Sequence, residues 1–198
     1  MEAAITVLPM SGQDRAMAVH TGAGYLVAVA DGAGGTGDGA AAAEHAITGL
    51  AKLGPAAAST DWFEALLELD DQLLARRSGS QTTVIVAHVS AGRIVGASVG
   101  DSSAWLISPA GEMTDLTAHQ RRRPLLGSGE ALPVIFEAEF GGCRLVLGSD
   151  GLFKYATAER ICSLAMWGSV AEAADALANC VRLPSGEFQD DVAVLIVS

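Results

Sequence analysis

Basic side chains are scarce in this chain: 12 Lys and Arg stand against 23 Asp and Glu, a formal net charge of −11 over 198 residues. A general nucleic-acid binder needs a basic face to meet phosphates, so that class of partner is excluded. Cysteine is nearly absent. Cys143, Cys162 and Cys180 are scattered without C-x-x-C spacing, so they form no zinc pattern and cannot all pair with one another. They read as small buried hydrophobes in a reducing compartment. Every apolar run is broken by Gly, Asp or Arg well short of a membrane span, and no basic segment leads into an apolar one as in a signal peptide. A soluble, cytoplasmic protein with no membrane partner is expected. Repeats, low-complexity tracts and linkers are also missing, so residues 1–198 read as one domain.

Half of the residues are apolar, and Ala and Gly are plentiful, which implies layers packed closely on small side chains. An apolar run over 25–30 reads as a buried strand ending at Asp31. A glycine-rich stretch over 32–39 follows, then an alanine-rich helix over 40–53 that Pro55 and its Ala/Ser neighbours close. Asp61 opens a second helix, running to about Arg77, with Trp62, Leu66, Leu69 and Leu73 at helical spacing. From residue 82 the pattern becomes β-branched: strands over 82–89 and Arg93–Val99 form a hairpin about Ser90-Ala91-Gly92. A second hairpin is expected over 104–108 and 113–116, and a loop over 119–133. Further strands, 134–140 and Arg144–Gly148, flank the turn at Gly141-Gly142. Two helices start after Thr157 and Ser169, the latter with capping-box spacing to Glu172, and Val192–Val197 is a last buried strand. Hairpin-linked strands with inserted helix pairs predict an α+β protein built on antiparallel sheet.

Four aspartates share one context. Asp31, Asp101 and Asp150 follow strands, and Asp190 stands just before the final one. In antiparallel sheets the end of one strand lies beside the start of its neighbour, so these carboxylates can gather along one rim. Gathered carboxylates repel unless they are protonated or neutralised by a cation. A hard divalent ion with oxygen ligands fits, and with no His/Cys cluster to compete, Mg²⁺ or Mn²⁺ is favoured over Zn²⁺. An isolated aspartate at a strand end ordinarily caps a turn. Four in similar contexts, three beside glycine, point to a shared cation instead.

These residues resemble a known family. V-A-V-A-D-G-A-G-G (27–35) is similar to the V-A-D-G-M-G-G motif of the type 2C, or PPM, metal-dependent Ser/Thr protein phosphatases. Gln81-Thr82-Thr83 resembles their G-T-T, V-G-D-S-S-A-W-L-I (99–107) their V-G-D-S-R-A-Y-L-I, and L-G-S-D-G-L (147–152) their L-x-S-D-G-L. Asp190-Asp191-Val192-Ala193-Val194 resembles the closing D-N-I-T-V or D-D-I-T-L, and Gln13-Asp14 stands where the family has N-E-D or N-Q-D. The motifs come in the family's order over nearly the whole chain.

The resemblance implies a four-layer αββα sandwich, two antiparallel sheets flanked by helix pairs, in a compact bacterial-type member. It further implies hydrolysis of phosphoserine and phosphothreonine in proteins by a water activated at a binuclear Mn²⁺ or Mg²⁺ centre. Catalysis would rest on Asp31, Asp150 and Asp190. Asp31 would bridge both ions, the Gly32 carbonyl would bind one, and Asp150 and Asp190 would hold the other. Asp14 would act through coordinated water and Asp101 would help hold a weaker third ion. Substrates would be phosphoproteins, with a Ser/Thr kinase or its targets as partners.

Three positions depart from the family pattern: Pro9 stands where many members carry a phosphate-gripping arginine, Ala33 where some carry a histidine, and Ser103 at the arginine of G-D-S-R. Arg121, Arg122 and Arg123 are the candidate substitutes for phosphate binding, since guanidinium groups suit phosphate oxygens, with Arg15 a second choice. His119 in the same loop is a candidate proton donor, set against an ordinary surface histidine. A glycine-loop nucleotide site is disfavoured, because 32–39 holds neither G-x-G-x-x-G in register nor G-K-[ST], and Asp31 and Asp38 would repel a pyrophosphate. The alternative is a catalytically weak protein of this fold acting as a regulatory partner; Pro9 keeps it open, and the retention of Asp31, Asp150 and Asp190 counts against it.

Overall fold

The computed structural model describes residues 1–33, 37–54, 57 and 60–198. The middle of the glycine-rich stretch (34–36) and the helix stop expected at Pro55 and its neighbours (55, 56, 58 and 59) lie outside the described residues. In chain order the first half runs β1 (Ala3–Leu8), β2 (Asp14–His20), β3 (Gly24–Asp31), α1 (Gly39–Ala51), α2 (Trp62–Ala75), β4 (Val84–Ser90) and β5 (Arg93–Val99). The second half runs β6 (Ser103–Ile107), β7 (Met113–Asp115), β8 (Val134–Glu139), β9 (Arg144–Gly148), α3 (Asp150–Phe153), α4 (Ala158–Ala165), α5 (Val170–Asn179) and β10 (Val192–Val197).

The strands form two five-stranded antiparallel sheets, ordered β2-β3-β4-β5-β8 and β1-β10-β9-β6-β7. Alternation along the strands sets the layers. One face of the first sheet, with Leu26, Ala28, Ala30, Val84 and Val86, packs on Ala42, Ala46, Leu50 and Leu66 of α1 and α2. Its other face, with Val27, Val29, Ile85 and Ala87, meets Leu145, Leu147, Ala193 and Leu195 of the second sheet. The far face of that sheet, with Val146, Val194 and Ile196, is covered by Ile161, Ala174 and Leu177 of α4 and α5. The order is helices, sheet, sheet, helices: the expected αββα sandwich. β10 is buried on both faces, which is why V-A-V-L-I-V shows no polar alternation. Among the described residues no helix is long and apolar enough to cross a membrane.

Local chemistry sets the helix starts. Asp38, Asp61, Thr157 and Ser169 each accept a backbone N–H of the first turn through the side chain, and Ser169–Glu172 closes the reciprocal capping box expected from their spacing.

Two features differ from the sequence expectation. β1 and β2 were not expected as strands; each is an outer strand, half-buried along most of its length, so neither shows clean alternation. The Gly141-Gly142 turn does not close a hairpin: β8 pairs with β5, while β9 pairs with β6 and β10, so the chain changes sheets there. It changes sheets in the same sense between β5 and β6, where Gly100 takes φ +105°, a backbone that side chains rarely adopt.

The long loop between β7 and β8 is fastened by a buried acid. Asp70 of α2 accepts the amides of Gly127 (2.5 Å), Gly129 (3.1 Å) and Ala131 (2.9 Å). Leu126 meanwhile exchanges backbone hydrogen bonds with Thr82, which in turn bridges to Gly32. The loop that carries the arginine triplet is thereby tied to both α2 and the end of β3.

Candidate metal centre

The antiparallel register places Asp14 of β2 directly opposite Asp31 of β3. Like charges facing each other across paired strands are destabilising; at about 5 Å and an effective dielectric near 20 the repulsion is of order 3 kcal/mol. Asp14 is only 3% exposed, and neither of its carboxylate oxygens is hydrogen bonded. Asp150 opens α3 at the end of β9, and Asp190 precedes β10. Asp31, Asp101, Asp150 and Asp190 line one cavity of about 320 Å³, with Asp14 buried behind Asp31.

The acids strain one another electrostatically. Asp31 is pushed up to about 9 by burial and by the charges of Asp14, Asp150, Asp190 and Asp101. Asp14 is raised to about 7 by burial and by Asp191 and Asp150, partly offset by the nearby hydroxyl of Ser149. Burial and Asp190 raise Asp150 as well. Among the described residues, no group of three acids, His or Cys is drawn together tightly enough to clasp one ion. An all-oxygen donor set, an unpartnered buried carboxylate and a carbonyl beside it suit a hard divalent cation, so these residues fit Mn²⁺ or Mg²⁺.

The remaining motif residues hold these acids in place. The Asp31 carbonyl accepts from the Thr83 amide (2.9 Å) and the Thr82 hydroxyl (2.8 Å), while its amide donates to Thr83 Oγ1 (3.0 Å). Thr83 also shares a hydrogen bond with Ser102 (2.7 Å), joining the Q-T-T and G-D-S segments. Ser149 exchanges hydrogen bonds with the backbone of Ala193, fixing Asp150 relative to β10. A Cβ on Gly151 would lie 2.0 Å from the Asp191 carbonyl oxygen, so only glycine lets α3 approach the Asp190-Asp191 pair so closely.

Arg122 and Arg123 line the same cavity, and Arg122 Nε lies 2.7 Å from Asp101 Oδ2. The acid matched to a third ion is thus neutralised by an arginine. Arg121 lies outside the cavity lining, and His119 is exposed and also outside it. Arg15, the second choice for phosphate binding, is outside the cavity lining and pairs with Glu44 of α1 at 2.8 Å. Pro9 is not in the cavity lining. Two residues went unassigned in the sequence reading. Lys154 sits 3.8 Å from Asp190. Asp191, buried at 4% exposure, accepts the amides of Met10, Ser11 (2.8 Å), Gly12 (3.0 Å) and Gln13 (2.8 Å) and the Ser11 hydroxyl (2.6 Å). Its doublet with Asp190 was the only local signal, and its partners lie at the other end of the chain.

The model of the Stage II sporulation protein E (SpoIIE) family matches residues 21–198. The chain belongs to the SpoIIE family. That family is of the PPM phosphatase type, so the resemblance drawn from the motifs holds. No curated protein matches the chain. Solved structures share its fold. The catalytic domain of the serine/threonine phosphatase PstP, in complex with two manganese ions, is 24% identical with a TM-score of 0.79, over 98% of this chain and 96% of that one. The PPM Ser-Thr phosphatase MsPP from Mycobacterium smegmatis, in complex with cacodylate, is 23% identical with a TM-score of 0.82, over 100% and 98%. Stp1 from Staphylococcus aureus is 20% identical with a TM-score of 0.84, over 98% and 93%. At these identities the likeness is one of fold, and the reading of this SpoIIE-family site rests on its own residues.

The raised carboxylates make a prediction with a definite sign. A group whose pKa is raised on folding favours the folded state below its unfolded value, near 4, and loses that contribution as pH climbs through its folded value. For Asp14 and Asp31 the loss runs up to about 7 and about 9. In EDTA the melting temperature should therefore fall between about pH 5 and about pH 8. Saturating Mn²⁺ should restore it, with the larger increment at the higher pH. A flat profile in EDTA, measured by differential scanning fluorimetry, would contradict the electrostatic account of the site.

Proposed function

We propose that residues 1–198 form a single phosphatase domain that hydrolyses phosphoserine and phosphothreonine in proteins at a binuclear Mn²⁺ or Mg²⁺ centre. The observation that carries this reading is the facing of Asp14 and Asp31 across β2 and β3, with Asp150 and Asp190 on the same cavity and nothing among the described residues to neutralise Asp14. The ions would supply a water of lowered pKa and offset charge on the phosphoryl oxygens. Asp31 would be shared between them, with the Gly32 carbonyl on one side and Asp150 and Asp190 on the other. Asp14 would hold a coordinated water, and Asp101 would serve a third, weaker ion only when released by Arg122. Arg122 and Arg123, which line the same cavity, would take the phosphate oxygens, replacing the arginine missing at Pro9. Thr83, itself hydrogen bonded to Ser102, holds the Asp31 backbone in place.

The natural substrates would be cytoplasmic phosphoproteins in a signalling pathway, including a Ser/Thr kinase or its targets. Hydrolysis of p-nitrophenyl phosphate and of a phosphothreonine peptide, each with Mn²⁺, with Mg²⁺ and with EDTA, tests the reading. Turnover that needs the ion and vanishes with the chelator is expected. Calorimetric Mn²⁺ binding without turnover of either substrate would point to a regulatory partner instead, and absence of Mn²⁺ binding would refute the metal centre.

A further inference from the structure

The metal cavity continues past its carboxylates. Met10, 57% exposed, lines it and also lines a second groove of about 560 Å³, whose other walls are Pro9, Arg182, Gly186, Glu187 and Phe188. The groove therefore begins where the cavity ends, on the side where Pro9 has replaced an arginine.

Arg182 is the organised group in this groove. Its Nε and Nη2 donate to Asn179 Oδ1 at 3.1 and 2.8 Å, and Nη1 donates to the Gly186 carbonyl at 2.7 Å. The guanidinium lies over the Phe188 ring, 4.3 Å from its centroid. Those contacts use three of the five N–H donors of an arginine and hold the rest in a fixed direction. Among the described residues Arg182 has no carboxylate partner. An exposed arginine ordinarily spends side-chain entropy when it captures a ligand; this one is already ordered. Glu187 shares the groove, where among the described residues its carboxylate accepts one hydrogen bond, from the Ser185 hydroxyl at 3.3 Å. An anionic guest is favoured over a basic one.

The distribution of charge agrees. Of only 12 Lys and Arg in a chain of net charge −11, Arg122 and Arg123 line the cavity, Lys154 pairs with Asp190 and Arg182 lines the adjoining groove. The long-range field repels acidic peptides, so attraction must come from cations set locally around the cleft.

We infer that this groove is a substrate subsite, in which Arg182 binds an anionic side chain of the same peptide whose phosphorylated residue enters the cavity, the chain crossing Met10 between the two. The inference rests on the phosphatase reading and adds a substrate class to it: phosphopeptides with an acidic or a second phosphorylated residue beside the phosphoserine or phosphothreonine. Carboxylate and phosphate share the chemistry that Arg182 recognises.

Phosphothreonine peptides that differ only at one flanking position, bearing Glu, phosphoserine, Ala or Lys there in turn, test it. Each kcat/KM is normalised to p-nitrophenyl phosphate, which is too small to reach the groove. With the wild-type chain, Glu should be favoured over Lys about fivefold on one flank, mainly through KM, as for one partly exposed charge pair. A stronger preference for phosphoserine than for Glu would identify phosphate as the natural guest. The preference should vanish in Arg182→Ala and reverse in Arg182→Glu. A flat charge profile, or a preference indifferent to both variants, would overturn the subsite. Fluorescence anisotropy of the same peptides on the Mn²⁺-loaded protein separates the two ideas. Absence of turnover with Arg182-dependent acid preference in binding would sink the enzyme and keep the subsite.

Discussion

Asp31→Asn should lower kcat for p-nitrophenyl phosphate by about a thousandfold or more while raising the stability of the metal-free protein above pH 7. Both effects come from one charge. If a bound cation stabilises the transition state by several kcal/mol, loss of the shared ligand at about 1.4 kcal/mol per tenfold gives three decades or more. In the metal-free state the same carboxylate faces Asp14 across the strand pair, and its pKa is driven to about 9. An isosteric amide removes that repulsion and keeps the Asp31 backbone bonds to Thr82 and Thr83. The melting temperature in EDTA should therefore rise at pH 8, and the increment given by Mn²⁺ should shrink. Full activity in the variant would eliminate the proposed centre. Lost activity with lowered metal-free stability would mean that Asp31 supports the fold and not a cation.

Sequence legibility tracked how local the determining interactions are. The strand after Tyr25, the buried final strand and the Ser169–Glu172 box are written in contiguous residues, and each was readable. The rim of acids was also readable, because antiparallel order by itself sets strand ends beside strand starts. β1 and β2 were not, because outer strands with intermediate burial carry no clean period of two. A Gly-Gly turn says that the chain reverses, not which sheet it enters, so the separation of β8 from β9 had no local trace. Side-chain partners were least legible of all. Arg15 reaches Glu44, Arg122 reaches Asp101, and Asp70 fastens a loop nearly sixty residues away, all by virtue of packing between layers.

Asp190 and Asp191 should give opposite phenotypes although they are adjacent. Asp190 lines the cavity, with 38% of its side chain exposed, and among the described residues its carboxylate accepts one backbone hydrogen bond, the local one from the Asp191 amide at 3.1 Å. Asp190→Asn should lose Mn²⁺ affinity and turnover with little change in denaturant midpoint in EDTA. Asp191 is committed to the fold: burial alone would raise its carboxyl, but the Ser11 hydroxyl and the amides of Gln13, Gly12 and Met10 hold it down at about 2. A depressed carboxylate contributes stability above its unfolded pKa, near 4, and loses it as pH falls toward 2. In Asp191→Asn the charge is lost, and the NH₂ group that replaces one oxygen must face at least the Gln13 N–H, which is left without its acceptor. Breaking such a buried charged network costs about 3–5 kcal/mol, or roughly 10 °C in a chain of this size. The loss should narrow as pH falls from about 4 toward 2, where the unfolded chain takes up the proton before the folded one. Activity should fall too, because the segment that Asp191 grips leads straight into Gln13 and Asp14. Equal midpoints for the two variants would show that the doublet acts as one unit and that the division between metal ligand and loop clamp is wrong.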